Sequence, residues 1–151
     1  LKKKIRNNPF EVRFDHNFSA VIRACAQQKP KRQETWINDQ IIELYTELFC
    51  MRYAHSVECW QEEKLVGGLY GISIGGAFFG ESMFSSERDS SKIALVHLVA
   101  RLNLAGFTLL DTQFITDHLK QFGAIEISRV EYHKILSGAL NLNVNFILDR
   151  Y

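Results

Sequence analysis

The sequence predicts one domain of mixed α+β structure, in which a largely antiparallel sheet is flanked by helices. The first observation is length, because 151 residues can bury one core but not two. The second is composition, since 46% hydrophobic and 23% charged residues are typical of a globular chain. The third is the order of hydrophobic periods, which changes from helical to strand-like spacing and back along the chain.

The first third of the chain predicts one strand and two helices. Residues 10–14 alternate between apolar and polar side chains, which is typical of a short strand. Asn17 or Ser19 can cap a short helix after it. A longer helix is predicted from Thr35, because apolar residues recur at helical spacing as far as Leu48.

The middle third predicts an antiparallel meander. Residues 55–60 and 65–72 are predicted to form two strands joined by a turn at 62–64, and residues 77–80 form a third short strand. Six glycines lie between residues 67 and 80. Their density indicates bulges, or close approach of the backbone to another chain segment or to a ligand.

The last third predicts helices and strands in alternation, with a strand–helix–strand crossover. Ser90 or Ser91 caps a helix that runs to about Ala105, and Gly106 ends it. The remaining predicted elements are a strand at 107–111, a short helix at 116–122, a strand at 125–127 and a last helix at 130–136.

Charge and cysteine content exclude several classes of protein. The formal net charge is only +1, so the total charge does not indicate a polyanionic partner. The three cysteines are widely spaced and form no CxxC, which argues against a disulfide framework or a zinc site and favours the cytoplasm. Neither a membrane span nor a signal peptide is indicated. Because the chain opens with Leu and a basic run, we expect that a preceding segment is absent.

Asp111 and Gln113 are the sharpest candidates for chemistry. In a continuous strand they would point to the same face, at the carboxyl end where α/β sheets place their sites. An acid after an apolar strand is costly to bury unless it is paired or functional. The alternative is that Asp111 caps a turn or the following helix.

Glu81 is a second candidate acid. It lies in Gly-Glu-Ser-Met-Phe-Ser at the end of a predicted strand, where it can face the same cleft or be a solvated turn residue. The residues after it can donate to a phosphate at a helix N-terminus, or can simply cap that helix. These donors are Ser85, Ser90, Ser91 and Lys92.

A basic run opens the chain and is a candidate for contact with phosphates. Lysine and arginine clusters are the electrostatic footprint of nucleic-acid binding, although a run this short also occurs as a solvated end. Its members are Lys2, Lys3, Lys4 and Arg6.

Six short motifs together resemble the bacterial leucyl/phenylalanyl-tRNA–protein transferase family. The family pattern is VGGxYG, FxGESMFS, SKxAL, IDxQ, HL and GAxxIxR. This chain has LVGGLYG at 65–71, FFGESMFS at 78–85, SKIAL at 91–95, LDTQ at 110–113, HL at 118–119 and FGAIEISR at 122–129. The similarity covers about residues 35–135 and extends more weakly into the basic run.

The resemblance implies a GNAT-like acyltransferase fold that uses aminoacyl-tRNA in place of acetyl-CoA. The whole chain, residues 1–151, would be one catalytic domain with a basic leading segment at 1–14, and the family's N-terminal domain would be absent. The implied reaction transfers Leu, Phe and less readily Met from tRNA to proteins that begin with Arg or Lys, as in the N-end rule pathway of degradation. No metal or diffusible cofactor is implied.

The resemblance also assigns residues to roles. Asp111, Gln113 and Glu81 match the catalytic and acceptor-binding positions. The residues that would line an apolar pocket for the aminoacyl side chain are Phe78, Leu95, Leu98, Leu102 and Leu69. The residues that would bind the tRNA acceptor stem are Lys2, Lys3, Lys4 and Arg6.

Two other functions remain open on the sequence. One is a GNAT-like N-acyltransferase that uses acyl-CoA on an amine. The other is a truncated RNA- or peptide-binding module without catalytic turnover.

Overall fold

The computed structural model describes residues 9–27, 35–113 and 115–148, which form five strands and five helices. The strands are β1 Glu11–Phe14, β2 Ala54–Gln61, β3 Lys64–Ile74, β4 Ala77–Ser85 and β5 Leu109–Asp111. The helices are α1 Phe18–Ala26, α2 Asp39–Cys50, α3 Ser90–Ala105, α4 Asp117–Lys120 and α5 Arg129–Leu140. No helix within these ranges has the length and apolar character that crossing a membrane requires.

The five strands form one sheet in the order β1-β2-β3-β4-β5. The pairs β1–β2, β2–β3 and β3–β4 are antiparallel, whereas β4 and β5 are parallel. Parallel neighbours need a crossover connection, and α3 supplies it. The predicted α+β fold with a mostly antiparallel sheet is therefore confirmed, and its crossover lies between β4 and β5.

Each face of the sheet carries its own apolar core. Helix α3 packs on one face with Leu69 of β3, and helices α1 and α2 pack on the other with Tyr70. Adjacent strand residues thus enter opposite cores, as the period of two requires. Covering both faces buries β2 from Ala54 to Trp60 without interruption.

A buried acid joins the start of α1 to the sheet. The carboxyl group of Glu58 in β2 is fully buried and accepts three hydrogen bonds. Its donors are the backbone N–H of Asn17 at 2.7 Å, the hydroxyl of Ser56 at 2.8 Å and the indole N–H of Trp60 at 2.9 Å. Asn17 in turn caps α1 by accepting from the backbone of Ala20, which confirms the first of its two predicted caps.

The glycines allow other chain segments to approach the strands. A Cβ on Gly67 would lie 2.1 Å from Oγ of Ser90, so this glycine lets the first residue of α3 sit against β3. The register of β3 against β4 also shifts between Tyr70 and Gly71. The high density of glycines was predicted to indicate bulges or close approach of another chain segment, and the structure contains both.

Three predicted boundaries are wrong. Helix α2 begins four residues after Thr35, because Asn38 accepts from the backbone N–H of Ile41 and is the cap. Asp89, not Ser90 or Ser91, occupies the cap position of α3, with φ of 69°. Strand β4 runs on to Ser85, so the GESMFS motif lies within the strand and not beyond it.

The predicted strand at 125–127 is also wrong. These residues form no strand, and Ile125 is 77% exposed. The alternation of Ile-Glu-Ile is compatible with a strand, but a strand needs a neighbour and none of the described strands pairs with it.

Candidate active site

The candidate site lies where strands β4 and β5 separate. Their parallel pairing covers only Ala77–Phe79 against Leu109–Asp111. Beyond Phe79, β4 continues against β3 alone, with Gly80 opposite Gly71 and Ser82 opposite Tyr70. Glu81 is the extra residue between these two pairs, which is the arrangement of a β-bulge. Bulges re-aim side chains and occur beside active sites.

Glu81 is half-buried at this point, and its carboxylate has two neighbours, Gln113 and Tyr45. The Nε2 group of Gln113 donates to Oε2 of Glu81 at 3.3 Å and to the carbonyl oxygen of Gly80 at 3.2 Å. The hydroxyl of Tyr45 in α2 is near enough to respond to the charge of Glu81. Burial, with that charge and hydrogen bonding to Glu81, raises the pKa of Tyr45 to about 12.

Asp111 ends β5 and has both of its carboxylate oxygens engaged. Its Oδ1 accepts from the backbone N–H of Gln113 at 2.6 Å, and its Oδ2 accepts from the hydroxyl of Tyr132 in α5 at 2.6 Å. The hydrogen bond to Asp111, with burial and the aspartate charge, raises the pKa of Tyr132 to about 12.

Asp111 and Gln113 are brought together by a turn and not by strand alternation. Gln113 has φ of 67°, in the left-handed region that few side-chain-bearing residues adopt. The bond from its backbone to Oδ1 of Asp111 stabilises this conformation, as aspartates commonly do two residues ahead. Asp111 therefore caps a turn, which was the alternative prediction for this residue. The turn brings the side chain of Gln113 against Glu81.

The three predicted polar residues thus form one connected series with two tyrosines. Hydrogen bonds join Glu81, Gln113, Asp111 and Tyr132 in that order, and Tyr45 adjoins Glu81. Neither tyrosine was predicted as a site residue. Tyr45 fits the apolar stripe of its helix, and Tyr132 is 21 residues from its partner with no spacing that connects them.

A cavity of about 450 Å³ opens beside Glu81 and Gln113. Its other walls are largely apolar, and Trp36, 48% exposed, lies at its edge. The aliphatic residues that line it include Leu69, Leu95, Leu98 and Leu110. A largely apolar cavity with a few convergent polar groups is the usual form of a small-molecule site.

Two of the five predicted pocket residues lie elsewhere. Phe78 is fully buried and stacks on Phe146 with 5.5 Å between ring centroids. Leu102 is 5% exposed within the core under α3. Neither lines the cavity, because each points into the packed interior between sheet and helix. Leu69, Leu95 and Leu98 do line it.

A second cavity of about 540 Å³ adjoins the first. The two share lining residues, among them Thr112 and Gln113, while Asp111 and Tyr132 face the second cavity. The polar series therefore lies at the junction of the two.

Three of the four predicted phosphate donors, Ser85, Ser90 and Lys92, have partners within the chain. Oγ of Ser90 is fully buried and lies 2.8 Å from the carbonyl oxygens of Val66 and Glu87. Lys92 forms an ion pair with Asp89 at 3.0 Å. These contacts within the chain fit a structural role better than phosphate binding. The predicted tRNA-binding residues Lys2, Lys3, Lys4 and Arg6 lie outside the described residues.

A buried Ser–His–Asp series lies away from the site. Nδ1 of His55 is 2.8 Å from Oδ2 of Asp15, and Nε2 is 3.1 Å from Oγ of Ser73. The order of groups is that of serine hydrolases. However, His55 is 2% exposed, its ring stacks on Phe146 at 4.3 Å, and neither cavity is lined by these residues. The series is therefore part of the packed interior beside Phe146.

Two further chemistries can be assessed for the described ranges. Burial raises the pKa of the Cys59 thiol to about 12, so this cysteine is not a thiolate nucleophile at neutral pH. No group of three or more His, Cys, Asp and Glu side chains within these ranges is arranged to hold a metal ion.

The raised pKa values of Tyr45 and Tyr132 predict a loss of stability at high pH. A tyrosine titrates near pH 10 when unfolded, so the folded state favours the protonated phenol. This contribution to stability is complete below about pH 10 and is lost as pH rises towards 12. In ultraviolet titrations of the folded chain, Tyr45→Phe and Tyr132→Phe should each remove tyrosinate absorbance that develops near pH 12. Removal of absorbance that develops near pH 10 would contradict the burial of Tyr45 beside Glu81 and the hydrogen bond from Tyr132 to Asp111.

Solved structures identify the class of fold. The chain resembles a ribosomal-protein-alanine N-acetyltransferase from Brucella melitensis biovar Abortus 2308, with a TM-score of 0.52 and 13% identity over 79% of this chain and 94% of that one. It also resembles an aminoglycoside acetyltransferase from an uncultured soil metagenomic sample, with a TM-score of 0.54 and 12% identity over 96% and 95%. The fold is therefore that of the GNAT acetyltransferases, as predicted.

Sequence comparison identifies the family. A family model for leucyl/phenylalanyl-tRNA protein transferase matches residues 1–137. The chain is 61% identical to the leucyl/phenylalanyl-tRNA–protein transferase of Phenylobacterium zucineum (strain HLK1) over 97% of this chain and 66% of that protein. It is 56% identical to that of Maricaulis maris (strain MCS10) over 97% and 68%. The chain belongs to this family, and it spans about two thirds of the length of these relatives.

Proposed function

We propose that this chain transfers leucine, phenylalanine and less readily methionine from aminoacyl-tRNA to the N-terminal Arg or Lys of acceptor proteins, which marks them for degradation. The observation that carries the proposal is the junction of an apolar cavity of about 450 Å³ with the bonded pair Glu81 and Gln113. Family membership supports the same reaction. Aminoacyl-tRNA is a cytoplasmic substrate, so the proposal places the chain in the cytoplasm.

The apolar walls are suited to the side chain of the transferred residue. Leu69, Leu95 and Leu98 offer only hydrocarbon, and burial of a leucine or phenylalanine side chain contributes about 1.5–3 kcal/mol. Such walls leave a charged or strongly polar aminoacyl side chain without partners, which costs free energy. The cavity therefore selects apolar residues by class.

Gln113 is placed to bind the attacking amine. Its Nε2 group donates to Gly80 and Glu81, so its Oε1 is the amide atom that accepts from an incoming amine. The neutral amine nitrogen forms the new C–N bond to the ester carbonyl carbon. The C–O bond to the terminal ribose breaks, and the ribose oxygen leaves with a proton that originates on the amine.

Asp111 would orient the side chain of Gln113 and would not itself take the proton. Both of its oxygens are engaged, by Gln113 and by Tyr132, so the carboxylate holds the turn that presents the glutamine. Glu81 is the acid that faces the cavity, and it would pair with the cationic side chain of the acceptor's first residue through charge-assisted hydrogen bonds. The basic residues Lys2, Lys3, Lys4 and Arg6 would bind tRNA phosphates.

The GNAT fold favours a second candidate, an N-acyltransferase that uses acyl-CoA. A CoA pyrophosphate needs cationic or backbone donors near the cleft. Among the described residues that line the cavity, His118 is the one basic side chain, and Ser90 and Lys92 at the start of α3 are engaged within the chain. This arrangement supports aminoacyl-tRNA over acyl-CoA.

A transfer assay distinguishes the candidates. The 151-residue chain is incubated with tRNA carrying radiolabelled leucine and a peptide that begins with Arg, and in parallel with radiolabelled acetyl-CoA and the same peptide. We expect label on the peptide only from leucyl-tRNA, and at least a hundredfold less from Gln113→Ala. Label from acetyl-CoA would favour the second candidate. Binding of leucyl-tRNA without any product would indicate a non-catalytic module.

A further inference from the structure

The cavity of about 540 Å³ beside Asp111 has no role in the reaction proposed above. One wall is strand β5 with the turn that follows it, and another is the segment of residues 122–127. Helix α3 contributes Leu95 and Val99, and helix α5 contributes Tyr132 and Ile135. We call this cavity the β5 groove.

We propose that the β5 groove binds the acceptor polypeptide, in extended form, at the residues that follow its first. This inference rests on the proposed transfer reaction and adds to it a subsite for the acceptor chain. The first support is continuity. The groove shares Thr112 and Gln113 with the aminoacyl cavity, so a chain whose amine lies at Gln113 can leave the site directly along the groove.

Charge is the second support. The charged side chains that line the groove, Asp111 and Glu126, are both acidic, and its lining within the described ranges includes no Lys, Arg or His. The phosphates of tRNA would meet only like charge here. The acceptor polypeptide carries no phosphates, so of the two substrates it is the one that suits this groove.

The third support is that the groove has an unpaired strand edge on one side and exposed apolar side chains on the other. Strand β5 is the last in the sheet, and in the described part of the chain no strand pairs with its outer edge. Across the groove, Ile125 and Ile127 are 77% and 37% exposed. A free strand edge facing apolar side chains is how proteins bind extended peptides, with main-chain bonds to the edge and side chains in the groove.

The experiment compares two acceptors that share the same first residue. Arginine amide ends at the reacting residue, whereas the peptide Arg-Leu-Leu-Gly extends beyond it. With leucyl-tRNA as donor, we expect kcat/KM to be about tenfold higher for the peptide, the factor that corresponds to one buried apolar side chain. A peptide with Glu at its second and third positions should lose this advantage, because Asp111 and Glu126 repel it.

A matched pair of variants locates the effect. Ile125→Glu lies in the groove, and Leu104→Glu on α3 is an equally exposed control, since both side chains are 77% exposed and Leu104 lines neither cavity. Ile125→Glu should raise KM for Arg-Leu-Leu-Gly at least fivefold and leave arginine amide unchanged. Leu104→Glu should change neither.

Three results decide between the two proposals. Equal kcat/KM for amide and peptide, or an equal loss for both acceptors in Ile125→Glu, would overturn the β5 groove while transfer itself stands. Absence of transfer to either acceptor would overturn the proposed reaction. In that case, fluorescence anisotropy of labelled Arg-Leu-Leu-Gly still tests the groove, because Ile125→Glu must weaken binding and Leu104→Glu must not.

Discussion

Replacement of Asp111 by alanine is expected to lower kcat for aminoacyl transfer by about 10²-fold. The reason is the pair of hydrogen bonds at 2.6 Å that Asp111 accepts, one from the backbone of Gln113 and one from Tyr132. Without the first, the left-handed conformation of Gln113 loses the backbone hydrogen bond that stabilises it, and we expect its amide to leave Gly80 and Glu81. Single-turnover rates at saturating acceptor measure this loss without interference from binding.

The conservative variant Asp111→Asn separates orientation from charge. Its amide oxygen can still accept from the Gln113 backbone, and its NH₂ group can donate to the hydroxyl of Tyr132. We therefore expect a loss of only about tenfold, roughly the effect of weakening one charge-assisted bond. If the alanine and asparagine variants were equally inactive, Asp111 would act through its charge on the amine and not through the turn.

Replacement of Glu58 by alanine is expected to lower the free energy of unfolding by about 3–5 kcal/mol, because a buried donor left without its acceptor costs about 1–3 kcal/mol. The variant leaves three donors without their acceptor: the backbone N–H of Asn17, the hydroxyl of Ser56 and the indole N–H of Trp60. Urea denaturation followed by tryptophan fluorescence measures this loss.

Two controls test the interpretation. Glu58→Gln keeps one acceptor oxygen and should lose clearly less stability than the alanine variant. Glu63→Ala removes an acid whose side chain is 80% exposed and pairs with Arg13 at the surface, and we expect little or no change. Equal losses for Glu58→Ala and Glu63→Ala would mean that the buried network does not stabilise the fold.

The sequence was sufficient for the architecture because local patterns specify it. Period-two alternation located β2 and β3, and Asn17 was correctly chosen as a cap, since both signals depend on neighbouring residues only. The error at 125–127 has a different cause. Its pattern is that of a strand, but strand formation depends on a pairing partner that local sequence cannot reveal.

The site was predictable in its residues but not in its geometry. Asp111, Gln113 and Glu81 do come together. The predicted reason, alternation of side chains along β5, is wrong because the strand ends at Asp111. The bulge that re-aims Glu81 depends on the register of β3 against β4. Tyr132 completes the series from a helix distant in sequence, and only the tertiary fold brings it there.

The apolar pocket shows the same limit at the level of single side chains. The motifs indicated which residues surround the cleft, but a hydrophobic residue beside a cavity and one in the core look alike in sequence. Leu69 and Leu98 line the cavity, whereas Phe78 packs on Phe146 beneath it. Side-chain direction relative to the diverging strands decides between the two positions.

The central claim is that the cavity beside Glu81 holds the aminoacyl ester with its carbonyl at Gln113. A crystal structure of the chain with a hydrolysis-resistant leucyl-adenosine amide tests it most directly. We expect the leucine side chain between Leu69 and Leu98, with the carbonyl carbon about 3–4 Å from the position that an amine bound by Gln113 would occupy. A leucyl group bound outside this cavity, or bound within it but turned away from Gln113 and Glu81, would contradict the account.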